Sequence, residues 1–188
     1  RDSRYSPYAG IVIDPFSGEV PEDGGYPGMR EWYRGSQTRG GSTGVRIEDC
    51  TFSNFTIGAI LSPNGYTQNN ELITFENIRF GDCKAGFVGC QAQEKMNRLI
   101  NIGAWGNVHT LFVFNKYGAG HPGNYYIQGV NIAGSVMNII YRNSGGWGPM
   151  FMSDVFAESI LSIGWWDGAS GDVLSNSLIN FKFPKEVG

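Results

Sequence analysis

The 188 residues carry a formal net charge of −3 and only 16 % of them are charged, a balance without the basic stripe of a nucleic-acid binder. Glycine supplies 28 residues with no Gly-X-Y period, which excludes collagen and favours tight turns between short strands. No run of about 18 apolar residues is present to cross a membrane as a helix, and no signal peptide is visible.

The chain opens on Arg1 rather than Met, so a fragment or a processed product is expected. The first strand signal is Ala9–Ile13 (AGIVI), closed by Asp14-Pro15, a turn initiator. A long polar segment, 17–44, follows. Loops of that length are uncommon inside a compact domain, and its Tyr26, Trp32 and Tyr33 predict docking rather than free disorder.

Two stretches then repeat one pattern 28 residues apart: VRIEDCTFSNFTIGAILS from Val45 and ITFENIRFGDCKAGFVGC from Ile73. Val45 matches Ile73, Ile47 matches Phe75, Glu48 matches Glu76, Phe52 matches Phe80 and Gly58 matches Gly86. A period of this size indicates a solenoid, and the short apolar alternations make its elements strands.

Further units are read at 99–115, 126–142, 150–166 and 173–183. Matching bulky residues places Trp105 beneath Phe80, Ile132 after Trp105 and Phe156 after Ile132, with successive spacings of 28, 25, 27 and 24. Coils of this length with two or three strands each predict an all-β parallel β-helix, a solenoid of about six coils. The whole of 1–188 reads as one domain, with coils over 9–183.

Length variation falls at one point of the repeat, at 63–70, 91–98, 116–124, 143–149 and 167–172. Such inserts project from one edge of a solenoid, often the binding edge. They carry Tyr66, Tyr117, His121, Trp147 and Asp167, with Trp166 at the margin. Aromatic faces can stack on the apolar C–H faces of sugars while polar neighbours bond the hydroxyls, so these six are the candidate carbohydrate-binding residues. Packing of loops onto the wall is the alternative for each.

For glycoside hydrolysis two carboxyls about 5 to 10 Å apart are needed. Asp154 and Glu158, close together in one coil, are the candidate catalytic pair. Glu48 and Glu76 should stack about 4.8 Å apart, which would raise one pKa, but Asn101 and Gln128 look like the next members of an outward polar ladder. Cys50, Cys83 and Cys90 give no disulfide framework and no zinc spacing, and read as small residues buried in the stack. No HExxH, CxxC, Walker or GxSxG pattern occurs, so neither metal nor cofactor is expected.

The segments IVIDPF (11–16), GVRIEDCTFSNFTIGAILSPNG (44–65), the paired coil at 73–90 and GVNIAGS (129–135) resemble right-handed, single-stranded parallel β-helices of the pectin-lyase-like superfamily. The likeness is greatest to bacteriophage tailspikes and related tail proteins. That resemblance implies a rigid, trimeric virion appendage that binds host surface polysaccharide and in some members cleaves it. The calcium-binding aspartates and the Asn-Thr-Asp, Gly-His-Gly and Arg-Ile-Lys signatures of the enzymatic branches are not found here. The expected function is therefore a receptor-binding tail spike or tail fibre component, on the virion or otherwise extracellular, in contact with other copies of itself or other virion proteins. A polysaccharide-degrading enzyme and a purely structural solenoid are the alternatives.

Overall fold

A computed structural model describes residues 6–13, 41–61, 69–89, 96–114, 124–143, 149–167 and 173–181. These residues form strands and no helix. In chain order the strands are β1 (Ser6–Ile13), β2 (Gly41–Thr43), β3 (Arg46–Glu48), β4 (Thr51–Ser53), β5 (Phe55–Leu61), β6 (Asn69–Glu71), β7 (Thr74–Gly81) and β8 (Ala85–Gly89). They continue as β9 (Asn97–Trp105), β10 (Asn107–Phe114), β11 (Tyr125–Ile132), β12 (Ser135–Asn143), β13 (Met150–Asp167), β14 (Val173–Ser175) and β15 (Leu178–Phe181).

Every strand pairing among the described residues is parallel, and the long β13 joins two stacks into one sheet. The result is a parallel β-solenoid of about three turns in which β7/β8, β9/β10 and β11/β12 are paired on both sides. Three walls follow from the register. The first holds β3, β14 and the opening residues of β7, β9, β11 and β13. The second holds β4, β15 and the closing residues of β7, β9 and β11 with the middle of β13. The third holds β1, β5, β8, β10, β12 and the end of β13. Strands β2 and β6 pair separately, so the segment read as a loop over 17–44 includes a short strand at its end.

Corners between walls are made by residues in the left-handed backbone region. Asp49, Asn77, Asn101, Gly129, Asp154 and Asn176 turn the first wall into the second, with φ between 47° and 70°. Asn54, Asp82, Gly106 and Gly134 turn the second into the third. Asn, Asp and Gly dominate because they tolerate this conformation best. This is the physical basis of the Asn/Asp/Gly spacing in the sequence.

Alternation along each strand sends one set of side chains inward. Ile47, Phe75, Leu99, Ile127, Met152 and Leu174 share one column of the first wall. Phe52, Phe80, Ala104, Ile132, Ala157 and Ile179 share one of the second. The third wall is apolar on both faces: Ala59, Leu61, Phe87, Phe112 and Phe114 belong to the main core, while Ile57, Ile60, Ala85, Val88 and Val113 form a second buried cluster. Burial on both faces explains the near-continuous apolar runs FTIGAIL and TLFVF.

The register corrects the size-based matching of coils. Phe80 pairs with Ala104 rather than Trp105, and Ala104 pairs with Ile132, which pairs with Ala157 rather than Phe156. The reason is volume exchange between walls. The rings of Phe52 and Phe80 fill the space that Gly10 and Gly58 leave on the third wall. In the next turn Ala104 is small, and the third-wall partner of Gly86 is Leu111, whose Cδ1 lies 2.9 Å from where a Cβ of Gly86 would stand. Large and small swap walls, so size is not conserved along one column.

Candidate functional site

The outward residues of the second wall form two columns. Thr51, Arg79, Gly103, Asn131, Phe156 and Leu178 are in register in one. Ser53, Gly81 and Trp105 are in register in the other. Between the first-wall corner and Trp105 lies an open groove of about 790 Å³, whose lining includes Asp49, Asn77, Arg79, Asn101, Trp105 and Asn131.

Those residues divide by what their polar atoms already do. Asp49, Asn77 and Asn101 form a ladder along the corner: Asn77 Nδ2 donates to Asp49 Oδ1 at 3.0 Å and Asn101 Nδ2 donates to Asn77 Oδ1 at 3.1 Å. Gly129 supplies no side chain to it, and a Cβ there would lie 2.7 Å from Asn101 Oδ1. Arg79, Trp105 and Asn131 make no side-chain hydrogen bond or ion pair among the described residues. Their hydrogen-bonding capacity faces the groove and solvent.

Two glycines set the geometry of this free set. The Cδ2, Cε2 and Cζ2 atoms of Trp105 all lie within 2.9 Å of where a Cβ of Gly81 would be. The indole therefore lies face-down on Gly81, and at 41 % exposure its opposite face is open. In the adjacent column Arg79 Cγ lies 3.4 Å from the Cβ position of Gly103. The arginine stem leans over Gly103, away from the Asp49 level. A flat aromatic face beside an uncommitted guanidinium and an amide is an arrangement that can stack a ring and bond its polar substituents.

The expected catalytic carboxyls are placed differently from one another. Asp154 is a corner residue with φ 57°. It accepts hydrogen bonds from Asn176 Nδ2, from Ser153 Oγ at 3.0 Å and from Gln128 Nε2 at 3.2 Å. The Asn176 bond, followed by those from Ser153 and Gln128, holds its carboxyl below the ordinary aspartate value, the opposite of what a general acid needs. Glu158 is exposed on the same strand, four residues on. Extended backbone puts the two Cα atoms about 13 Å apart, and the groove described above is lined by neither.

The Glu48–Glu76 stack is present, and Arg46 bonds both carboxylates, at 2.6 Å and 2.5 Å. Gln128 does belong to this column, but the member between Glu76 and Gln128 is Ile100, not Asn101. Of the edge residues, Trp166 and Asp167 continue β13 by pairing with Arg142 and Asn143 on the third wall. Tyr66, Tyr117, His121 and Trp147 lie outside the described residues, as do most of the inserts and Cys90. Cys83 is buried and Cys50 half-buried, both as free thiols. Burial pushes the Cys83 thiol up, keeping it protonated at neutral pH. No cluster of His, Cys, Asp or Glu among the described residues could hold a metal ion.

Size matching in the sequence hid Arg79 and Trp105. The alternation in NRLINIGAW would have found the latter: Leu99, Ile102 and Ala104 are buried, so Trp105 points outward. No known protein family matches the chain, and no curated protein or solved structure is significantly similar to it.

Proposed function

We propose that this chain is the solenoid of a bacteriophage tail spike or tail fibre component that binds host surface polysaccharide. In this reading it has six coils of right-handed, single-stranded β-helix, works as a homotrimer and sits outside the cell on the virion. One observation carries the binding role: an open groove runs along the second wall with the exposed face of Trp105 beside Arg79 and Asn131, all three uncommitted among the described residues. A wall built on parallel pairing and a side-chain ladder is stiff, so the groove is preorganised and an extended polymer loses little affinity to ordering the protein.

A second reading, a structural solenoid within an assembly, is favoured by a separate feature. Tyr126 and Phe151 stack on the outside of the first wall at 5.2 Å, and Phe156 and Leu178 are exposed on the second. Apolar patches of this kind are common at subunit contacts.

The test is to incubate the native assembly with a panel of bacterial capsule and lipopolysaccharide glycans, reading retention and new reducing or unsaturated ends. Retention without cleavage is the expected result. Cleavage would move the enzyme reading forward, and the absence of both across the panel would leave the structural solenoid.

A further inference from the structure

We infer that the second-wall groove selects glycans bearing an anionic group, with Arg79 as the residue that reads the charge and Trp105 as the platform for the adjoining sugar ring. This rests on the polysaccharide-binding reading above and adds the chemical class of the ligand.

The argument begins with what the groove leaves unsatisfied. Of its two charged groups, Asp49 accepts from Asn77 and anchors the end of the corner ladder. Arg79 pairs with no carboxylate among the described residues. By contrast Arg46, one wall away, is engaged by both Glu48 and Glu76. Arg79 is exposed, and its stem is laid along the wall by the missing side chain at Gly103, so the cation is carried away from Asp49 and toward the level of Trp105 and Asn131. A guanidinium presents a planar fork that fits two oxygens of one anion.

Trp105 supplies the second half. Its lower face is fixed on Gly81, which leaves one open face of fixed orientation. The polarised C–H groups on one side of a pyranose suit the negative face of an indole. The Thr51-to-Asn131 column spans three strand spacings, about 14 Å, or roughly three sugar rings in a chain. A ring on Trp105 therefore places a neighbouring acidic substituent within reach of Arg79, and Asn131 can bond a hydroxyl. Nucleic acid, which also offers rings and anions, is disfavoured by the net charge of −3.

Carboxylate and phosphate share the required chemistry, and the experiment separates them. The assembly is titrated on a glycan array with neutral, carboxylated and phosphodiester-bridged polymers, together with carboxyl-reduced forms of the carboxylated ones. Wild type is compared with Arg79→Met and Trp105→Ala, both checked by thermal melting. Acidic polymers should bind at least about tenfold more tightly than neutral or carboxyl-reduced ones, the usual scale of hydrogen bonds to a charged group. Arg79→Met should erase that preference while leaving weak binding to neutral chains, and Trp105→Ala should lower binding to both. Preference for one anion over the other names the substituent. Equal retention of neutral and acidic polymers, or an unaltered preference in Arg79→Met, would overturn the inference and leave polysaccharide binding standing. If wild type retained no glycan, both would fall together. Gly81→Ala, which must displace the indole, is a second route to the platform if Trp105→Ala melts early.

Discussion

A left-handed backbone at Leu72 and Met96 is out of character for their side chains. Both have φ near 57°, both are about half exposed, and Gly44 occupies the equivalent corner one turn earlier. Non-glycine residues without a local hydrogen-bonding side chain are strained there by about 1 to 2 kcal/mol. Replacing Leu72 or Met96 by Asn should stabilise the fold by about 1 kcal/mol each, read as a rise of about 2 to 4 °C in Tm. Asp154 gives a prediction of opposite kind. Its carboxyl is held low by hydrogen bonds that need the charge, chiefly from Asn176. A lowered folded value contributes stability that is present above the ordinary aspartate pKa of about 4 and is lost as pH falls through the lowered value. Asp154→Asn keeps a residue suited to the corner but does not titrate. Its melting temperature should therefore fall less than that of wild type between pH 5 and pH 2, and parallel acid limbs would show that this corner does not depend on that charge.

Among elements, the third wall depends on glycine for space rather than for backbone freedom. A Cβ at Gly58 would collide with the Phe80 ring and stand 2.7 Å from the Gly86 carbonyl oxygen of the next strand. Neither can yield easily, one being packed in the core and the other paired in the sheet. Gly58→Ala should therefore cost about 2 to 3 kcal/mol. Gly103→Ala meets only ordinary contacts at 3.4 Å and beyond and should change stability by less than about 0.5 kcal/mol. Chemical denaturation of the two variants separates these cases. The same element explains why the 28-residue match between the first two full coils was legible: both place Phe on the second wall and Gly on the third. The following coil reverses that assignment through Ala104 and Leu111, and alignment by bulk then slips by one residue. Corner residues were the safer ruler, because Asp49, Asn77, Asn101, Gly129, Asp154 and Asn176 answer to the backbone, not to volume.

At the scale of the molecule, the parallel solenoid was readable because its repeat and its strand alternation are both local signals. The groove was not, because it arises from neighbours in space. Arg79 sits beside Gly103 and Trp105 beside Gly81 only once the turns are stacked. A binding edge of aromatics was expected in the inserts, whereas Trp105, Tyr126, Phe151 and Phe156, the exposed aromatics among the described residues, belong to walls. The groove lining includes neither Tyr126 nor Phe151, so variants of that stack test assembly apart from glycan contact, whereas Phe156 is the strand partner of Asn131 and does not separate the two.

The shift of bulk between walls after Phe80 also makes the turn of Ala104 and Leu111 distinguishable from the two before it during folding. A solenoid of identical turns could skip one and still find every strand a partner, with nothing in its interior to reveal the error. Here a skipped turn would bring Phe52 toward Leu111 or leave Ala104 opposite a glycine, producing a collision in one case and a void in the other. The interior thus carries a key at that turn, and a stack that miscounts it loses packing there.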